Sequence, residues 1–169
     1  TIEALAKLRA AFGKEGKVTA GNASGIVDSA DALVVTKASV AKAKGWKPRA
    51  RIVAWNAVGV EPSEMGIGPA PAIRNTLDKA GVELGDVDYF EINEAFSAQY
   101  LAVEKELELD RDKVNVNGGA VAIGHPLGAT GTRLVLTLVH QLERSGKRYG
   151  IASACIGGGQ GIAMLIERI

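Results

Sequence analysis

Apolar residues at Ile2, Leu5, Leu8 and Phe12 recur at helical spacing, and Gly13 and Gly16 close the run. The pattern predicts an amphipathic helix from Ile2 to Phe12. KVTAGNASG then leads through small polar residues into a short helical stretch, VDSADA. ALVVTK, Ala32 to Lys37, reads as a β-branched apolar strand, SVAKAKGW as a short helix ended by Gly45, and KPR as a linker. A second strand, RIVAWNAVGV, begins near Arg51. In PAPAIRNTLDKAG, Pro69 and Pro71 suit a first helical turn, Ile73, Leu77 and Ala80 share a face, and Gly81 falls just past the end. VDYFEI is the next strand, and Phe96, Tyr100, Val103 and Leu107 predict a helix starting at about Glu94. A glycine-rich loop, NVNGGAVAIGHPLGATG, feeds a long helix marked by Leu134, Leu138 and Leu142 and closed by Ser145-Gly146. YGIASAC and GIAMLIE are two strands joined by glycines, which predicts a terminal hairpin.

Strands alternating with helices over short connections predict a layered α/β fold, with the hairpin adding antiparallel pairing to a mixed sheet. The polar, proline-interrupted stretch from Lys47 to Arg49 is the expected boundary, dividing residues 1–49 from residues 50–169. Composition changes this picture little. With 169 residues, 47% of them hydrophobic and 23% charged, there is apolar surface for one ordinary core. Twenty basic against nineteen acidic side chains leave a net charge of +1, which offers no broad field for nucleic acid or an anionic membrane. No apolar run approaches the roughly 20 residues of a membrane span, so a soluble protein is expected. Thr1 stands inside a helical pattern, which suggests a piece of a longer or processed chain. One cysteine excludes an internal disulfide and a multi-thiolate zinc site, and His125 and His140 lie on unlike segments that suggest no shared metal.

Three stretches carry candidate chemistry. In GGAVAIGHPLGATG the glycines let backbone approach a ligand, and Pro126 orients the imidazole of His125, a proton carrier near neutrality. Neither GxGxxG nor GxxxxGK[ST] is present, so the common phosphate-loop templates fail, and close packing around a structural histidine is the plain alternative. In EINEAF two carboxylates flank Asn93 where a strand gives way to a helix. Helix capping by Asn93 and Glu94 accounts for the spacing; the functional alternative has the Asn93 amide hold a water or a carbonyl oxygen. In CIGGGQG, successive glycines can gather N–H groups into an oxyanion cradle and lower the pKa of the adjacent Cys155 thiol, although a buried cysteine beside a loose turn has the same sequence. Together the three supply a thiol, an imidazole, an amide and an oxyanion cradle, each at the end of a secondary element.

NEAF, GGAVAIGHPLGATG and CIGGGQG, in that order, resemble the C-terminal half of the thiolase family, the acetyl-CoA acyltransferases. KVTAGNASGIVDSADALVV is similar to the segment closing the family's N-terminal half, MGIGPAP to its loop-to-helix entry, and QYLAVEKELELD to mitochondrial 3-ketoacyl-CoA thiolases; NEAF separates the chain from sterol-carrier-type thiolases, which carry HDCF. The resemblance implies a five-layered αβαβα parent, with a βαβαβαββ mixed-sheet domain here and residues 1–49 as the remnant of the preceding domain. By the same resemblance Cys155 is the acid/base cysteine, His125 activates the nucleophile and helps hold the thioester oxygen, Asn93 positions a water, and the Gly157 N–H belongs to an oxyanion hole. CoA and acyl-CoA are then substrates, with no resident cofactor and no metal. The residues that contact CoA are not singled out by sequence. The family's acylated cysteine has no counterpart among these residues, so the chain alone is expected to be inactive. The parent is expected to be a homodimer or homotetramer, in the mitochondrial matrix of a eukaryote or the cytoplasm of a bacterium. ALVVTK, parted from its sheet, is expected to be poorly ordered or to pair with another copy. Biosynthetic condensation of acetyl-CoA and a non-catalytic dimerisation module are the competing functions. His140 is left unassigned between core and surface, Trp46, Trp55 and Tyr149 are expected to pack, and KASVAKAKGWK to be a solvated face.

Overall fold

A computed structural model describes residues 1–169. Four strands, β1 (Ala50–Gly59), β2 (Tyr89–Ile92), β3 (Tyr149–Ile156) and β4 (Gln160–Arg168), form one mixed sheet in the order β1-β4-β3-β2. β1 and β3 run antiparallel to β4, while β2 and β3 are parallel, with Ile92 level with Ser153. Helices α1 (Ile2–Leu5), α2 (Ala38–Ala43), α3 (Pro69–Ala80), α4 (Ser97–Leu107), α5 (Ala120–Ile123) and α6 (Thr130–Ser145) complete the chain. α3 and α4 cover one face of the sheet and α6 the other, an α/β/α sandwich.

The helix periodicity explains both faces. α3 turns Ile73 and Leu77 inward to meet Phe90, Ile92, Ile151 and Leu165, while Leu134, Leu138 and Leu142 of α6 meet Ala152 and Ile166. Gly81 and Gly146 end α3 and α6 in left-handed conformations, as their spacing predicts. The entry to α3 lies hard against β4: a Cβ on either Gly68 or Gly161 would overlap the other strand of backbone.

The structure departs from the sequence reading in residues 1–49. The first helix is one turn, Ile2–Leu5, and continues only as turns. Its apolar stripe finds little to cover: Ile2 is 80% exposed and Phe12 67%. VDSADA is not helical, and ALVVTK is not a strand. Residues 50–169 hold one strand fewer than the expected βαβαβαββ order, because the stretch between α4 and α6 makes only a single bridge, Val114 to Phe90. A strand needs a ladder partner, and Val34 and Val35, 82% and 72% exposed, meet none within the chain. Trp46 and Trp55 do not pack into the core either; they are exposed, beside Lys44 and Lys79, whose ammonium groups stand over their rings. Tyr149 does pack against the core cluster. The helix expected from about Glu94 starts at Ser97.

Candidate active site

β2 and β3 are parallel neighbours, so their carboxyl ends open on the same side of the sheet, where α/β folds present ligand groups. Asn93 extends the ladder by one residue, its N–H donating to the Ser153 carbonyl at 2.9 Å. Cys155 stands two residues farther along β3, opposite Gly161. The glycine-rich loop between Asn115 and Ala129 brings His125 to Asn93, with Asn93 Nδ2 3.3 Å from His125 Nε2.

The hydrogen bonds around His125 set its tautomer. The Thr130 hydroxyl donates its one proton to the Pro126 carbonyl at 3.0 Å, so at 2.7 Å from His125 Nδ1 it can only accept. Nδ1 therefore carries the ring proton, and Nε2 keeps a lone pair that accepts from Asn93. Asn93 is fully buried, and its Oδ1 has no partner within the chain, an acceptor left open at the site. Asn93 and Glu94 do not cap α4, as spacing suggested; α4 begins after Phe96 without a side-chain cap. Both side chains reach instead to the loop that carries His125.

Electrostatics favour neutral groups. Burial, aided by the Arg133 guanidinium, pulls His125 below the usual imidazole range. Burial pushes the Cys155 thiol up, outweighing the backbone hydrogen bond that favours thiolate. That reverses the expectation that the glycine turn would lower it: desolvation of a half-buried sulfur dominates. Gly157 opens the turn after β3, its carbonyl accepting from Gln160 Nε2 at 3.4 Å and its N–H unpaired within the chain. Beneath the site Glu91, almost wholly buried, faces Arg133 at 3.4 Å. Desolvation raises its carboxyl to about 7, Arg133 opposes the rise, and Glu94 adds to it. His140 lies apart, on the surface beside Arg49.

Sequence reasoning passed over three participants. Thr130 is an ordinary first helical residue until the loop folds back on it. Arg133 reads as a surface cation, and Asn115 as a turn residue. A fourth surprise comes from residues 1–49: Asn22 to Gly25 run between the two site loops. The Ser24 N–H donates to the Ala95 carbonyl at 3.1 Å, the Ser97 N–H to Asn22 at 2.8 Å, and the His125 N–H to Gly25 at 2.8 Å. NASG, small and polar, was the available signal. The chain holds no group of three or more His, Cys, Asp or Glu side chains placed to bind a metal, and no helix is long and apolar enough to cross a membrane.

Comparison with known proteins follows the same lines. The family model described as "Thiolase, C-terminal domain" matches residues 46–168, and that described as "Thiolase, N-terminal domain" matches residues 1–39. Acetyl-CoA acetyltransferase of Escherichia coli is 56% identical over 169 residues, covering all of this chain and 43% of that protein. The mitochondrial 3-ketoacyl-CoA thiolase of Homo sapiens is 54% identical over 167 residues, 99% of this chain and 42% of that protein. Among solved structures, acetyl-CoA acetyltransferase of Bacillus anthracis superposes with a TM-score of 0.95 at 57% identity, and human mitochondrial 3-ketoacyl-CoA thiolase in complex with CoA with 0.92 at 50%; each covers all of this chain, which spans 43% of theirs.

Proposed function

The chain belongs to the thiolase family, and on that premise we propose that it is the C-terminal part of an acyl-CoA acyltransferase that cleaves 3-ketoacyl-CoA with CoA, giving acyl-CoA and acetyl-CoA in the β-oxidation of fatty acids. Residues 1–49 are then the close of the preceding domain and residues 50–169 the C-terminal domain. The observation that supports this most is the Thr130–His125–Asn93 hydrogen-bond chain at the carboxyl end of β2, beside the strand that carries Cys155.

Cleaving a 3-ketoacyl thioester breaks the bond between C2 and C3 and releases the electron pair as an acetyl-CoA enolate. The site must hold negative charge on the thioester oxygen and then protonate carbon. His125, neutral and protonated at Nδ1, takes the proton of an attacking thiol on its Nε2 lone pair, which then gives up its hydrogen bond from Asn93 Nδ2. The imidazolium so formed turns Nε2 into a donor toward the thioester oxygen, while Thr130 continues to hold Nδ1–H. The Asn93 carboxamide, with an open buried acceptor, holds a water beside that oxygen. Cys155, kept as thiol by burial, has the proton that the departing carbanion needs. The Gly157 N–H faces the developing oxyanion of the acyl group. When CoA attacks the acyl-enzyme, the same groups act in reverse.

The acylated thiol is not among these residues, whose one cysteine is already assigned as acid/base, so the 169-residue chain by itself does not turn over. Thiolysis of acetoacetyl-CoA or a longer 3-ketoacyl-CoA is the test: the parent protein is active, His125→Ala or Cys155→Ser lowers kcat by about 100-fold or more, and the isolated chain gives none. Measurable thiolysis by the isolated chain overturns this assignment. A second reading, biosynthetic condensation of two acetyl-CoA units, is favoured by the relatives named acetyl-CoA acetyltransferase. It uses the same residues, and a chain-length profile that stops at acetoacetyl-CoA would select it. The parent is further proposed to be a homodimer or homotetramer, located in the matrix if mitochondrial and in the cytoplasm if bacterial.

A further inference from the structure

We propose that Glu94 is a positioning residue for His125, a carboxylate clamp that holds the histidine loop in register with β2. The inference rests on His125 being the base of the site and extends it to the residue that sets where the ring stands.

Four observations converge on this carboxylate. Glu94 Oε2 accepts from the Val121 N–H at 3.1 Å, and Oε1 accepts from Asn115 Nδ2 at 3.3 Å. Val121 is the second residue of α5, whose cap, Gly119, has no side chain to satisfy the free N–H groups of the first turn. Glu94 supplies that acceptor from 27 residues away in sequence. α5 ends at Ile123, and Gly124 leads directly to His125, so the anchored turn is the rigid link that sets the ring's position. The seat is shaped for the group: a Cβ on Gly119 would overlap the Glu94 carboxylate.

The other holder is itself locked. Asn115, with φ of 48°, accepts from the Ile92 N–H and donates to the Ile92 carbonyl, both at 2.9 Å, standing in for a strand neighbour at the end of β2. The result is a closed circuit. Ile92 holds Asn115, Asn115 and Val121 share the Glu94 carboxylate, α5 leads to His125, and His125 returns to Asn93, next to Ile92. Adjacent residues thus control the imidazole in two ways, Asn93 at a ring nitrogen and Glu94 through the backbone that carries it.

Arg133 is the charge that acts on His125, and Glu91 stands behind it; Glu94 influences Glu91 and Tyr100 instead. A clamp and a charge effect therefore separate experimentally. With two histidines in the chain, His140→Gln leaves His125 as the only imidazole for NMR titration. In Glu94→Ala on that background, His125 should titrate higher, toward the ordinary imidazole value, lose its Nδ1–H preference in ring nitrogen shifts, and the Val121 amide should exchange about tenfold faster or more. Glu94→Gln keeps an oxygen for Val121 but turns its amide N–H2 toward the Asn115 Nδ2 donor, so it should restore the Val121 exchange and only part of the His125 signals. Gly119→Ala, which evicts the carboxylate while leaving it in the sequence, should reproduce Glu94→Ala and serves if that variant does not fold. An unchanged His125 titration and Val121 exchange in Glu94→Ala or Gly119→Ala overturns the clamp, as does a Glu94→Gln whose Val121 amide exchanges as fast as in Glu94→Ala. In the parent enzyme, Glu94→Ala should lower kcat by about 100-fold with KM for CoA little changed. The NMR measurements need no substrate: their failure removes the clamp alone, whereas absence of thiolysis by the unmutated parent removes the enzymatic reading and leaves them standing.

Discussion

Cys155 shows how a single side chain can be found by sequence and still be misjudged in its chemistry. Its place beside three glycines drew attention to it, but its protonation depends on how much water reaches the sulfur, which is a property of packing. Because burial raises its pKa, alkylation by iodoacetamide should be slow at pH 7 to 8 and should accelerate only above the range of an ordinary thiol. The rate against pH, followed by mass spectrometry of the one modifiable cysteine, checks this; a rate plateau near neutrality would mean a thiolate. Asn93 and Glu94 teach a related lesson. Their spacing from α4 is that of helix caps, and local pattern favours local partners. Their real partners, His125, Asn115 and Val121, lie 21 to 32 residues on and become neighbours only when the loop after α4 folds back against the end of β2. Thr130 and Arg133 were illegible for the same reason, since each acts across a loop closure.

At the scale of elements, the long periodic segments were the readable ones. α3 and α6 carry their apolar stripes and terminal glycines in the sequence and fold as predicted, and the hairpin of β3 and β4 follows from two apolar runs around a glycine turn. ALVVTK misled because β-branched residues state a preference for extended backbone, while strand formation requires a second chain edge to pair with. Element contacts also set limits that propensity does not express. Gly161, the second residue of β4, lies with its Cα against the Gly68 backbone at the entry to α3, and backbone, unlike a flexible side chain, cannot rotate aside. Gly161→Ala should therefore destabilise the protein by about 1 to 3 kcal/mol, read as a lower urea midpoint. A midpoint equal to the unmutated chain's would show that this contact yields freely.

For the whole molecule, the balance of charge near zero hides one buried carboxyl that couples folding to pH. Glu91 has its folded pKa raised from 4.5 to about 7, so the folded state favours the protonated form. That contribution is fully present below pH 4.5 and is lost as pH rises through about 7, a change of roughly 3 kcal/mol. His125, lowered on folding, works in the opposite sense, losing stability as pH falls below 6.5. Urea unfolding at pH 5 and pH 8 should reveal the difference, and Glu91→Gln should flatten it; an equal slope in the variant would assign the dependence elsewhere. The layered α/β class and the four candidate residues Asn93, His125, Cys155 and Gly157 could be picked out in the sequence, because they sit in patterns within single segments. The site's support was hidden, because it is built from contacts between segments.

The hydrogen bonds that Asn22 to Gly25 make to Ala95, Ser97 and His125 bear on how such proteins can be recombined. A chimaera joined at the linker before β1 would pair one parent's NASG ribbon with another parent's histidine loop. The natural seam for exchanging halves lies upstream of Asn22, so that the ribbon travels with the loops it stitches together.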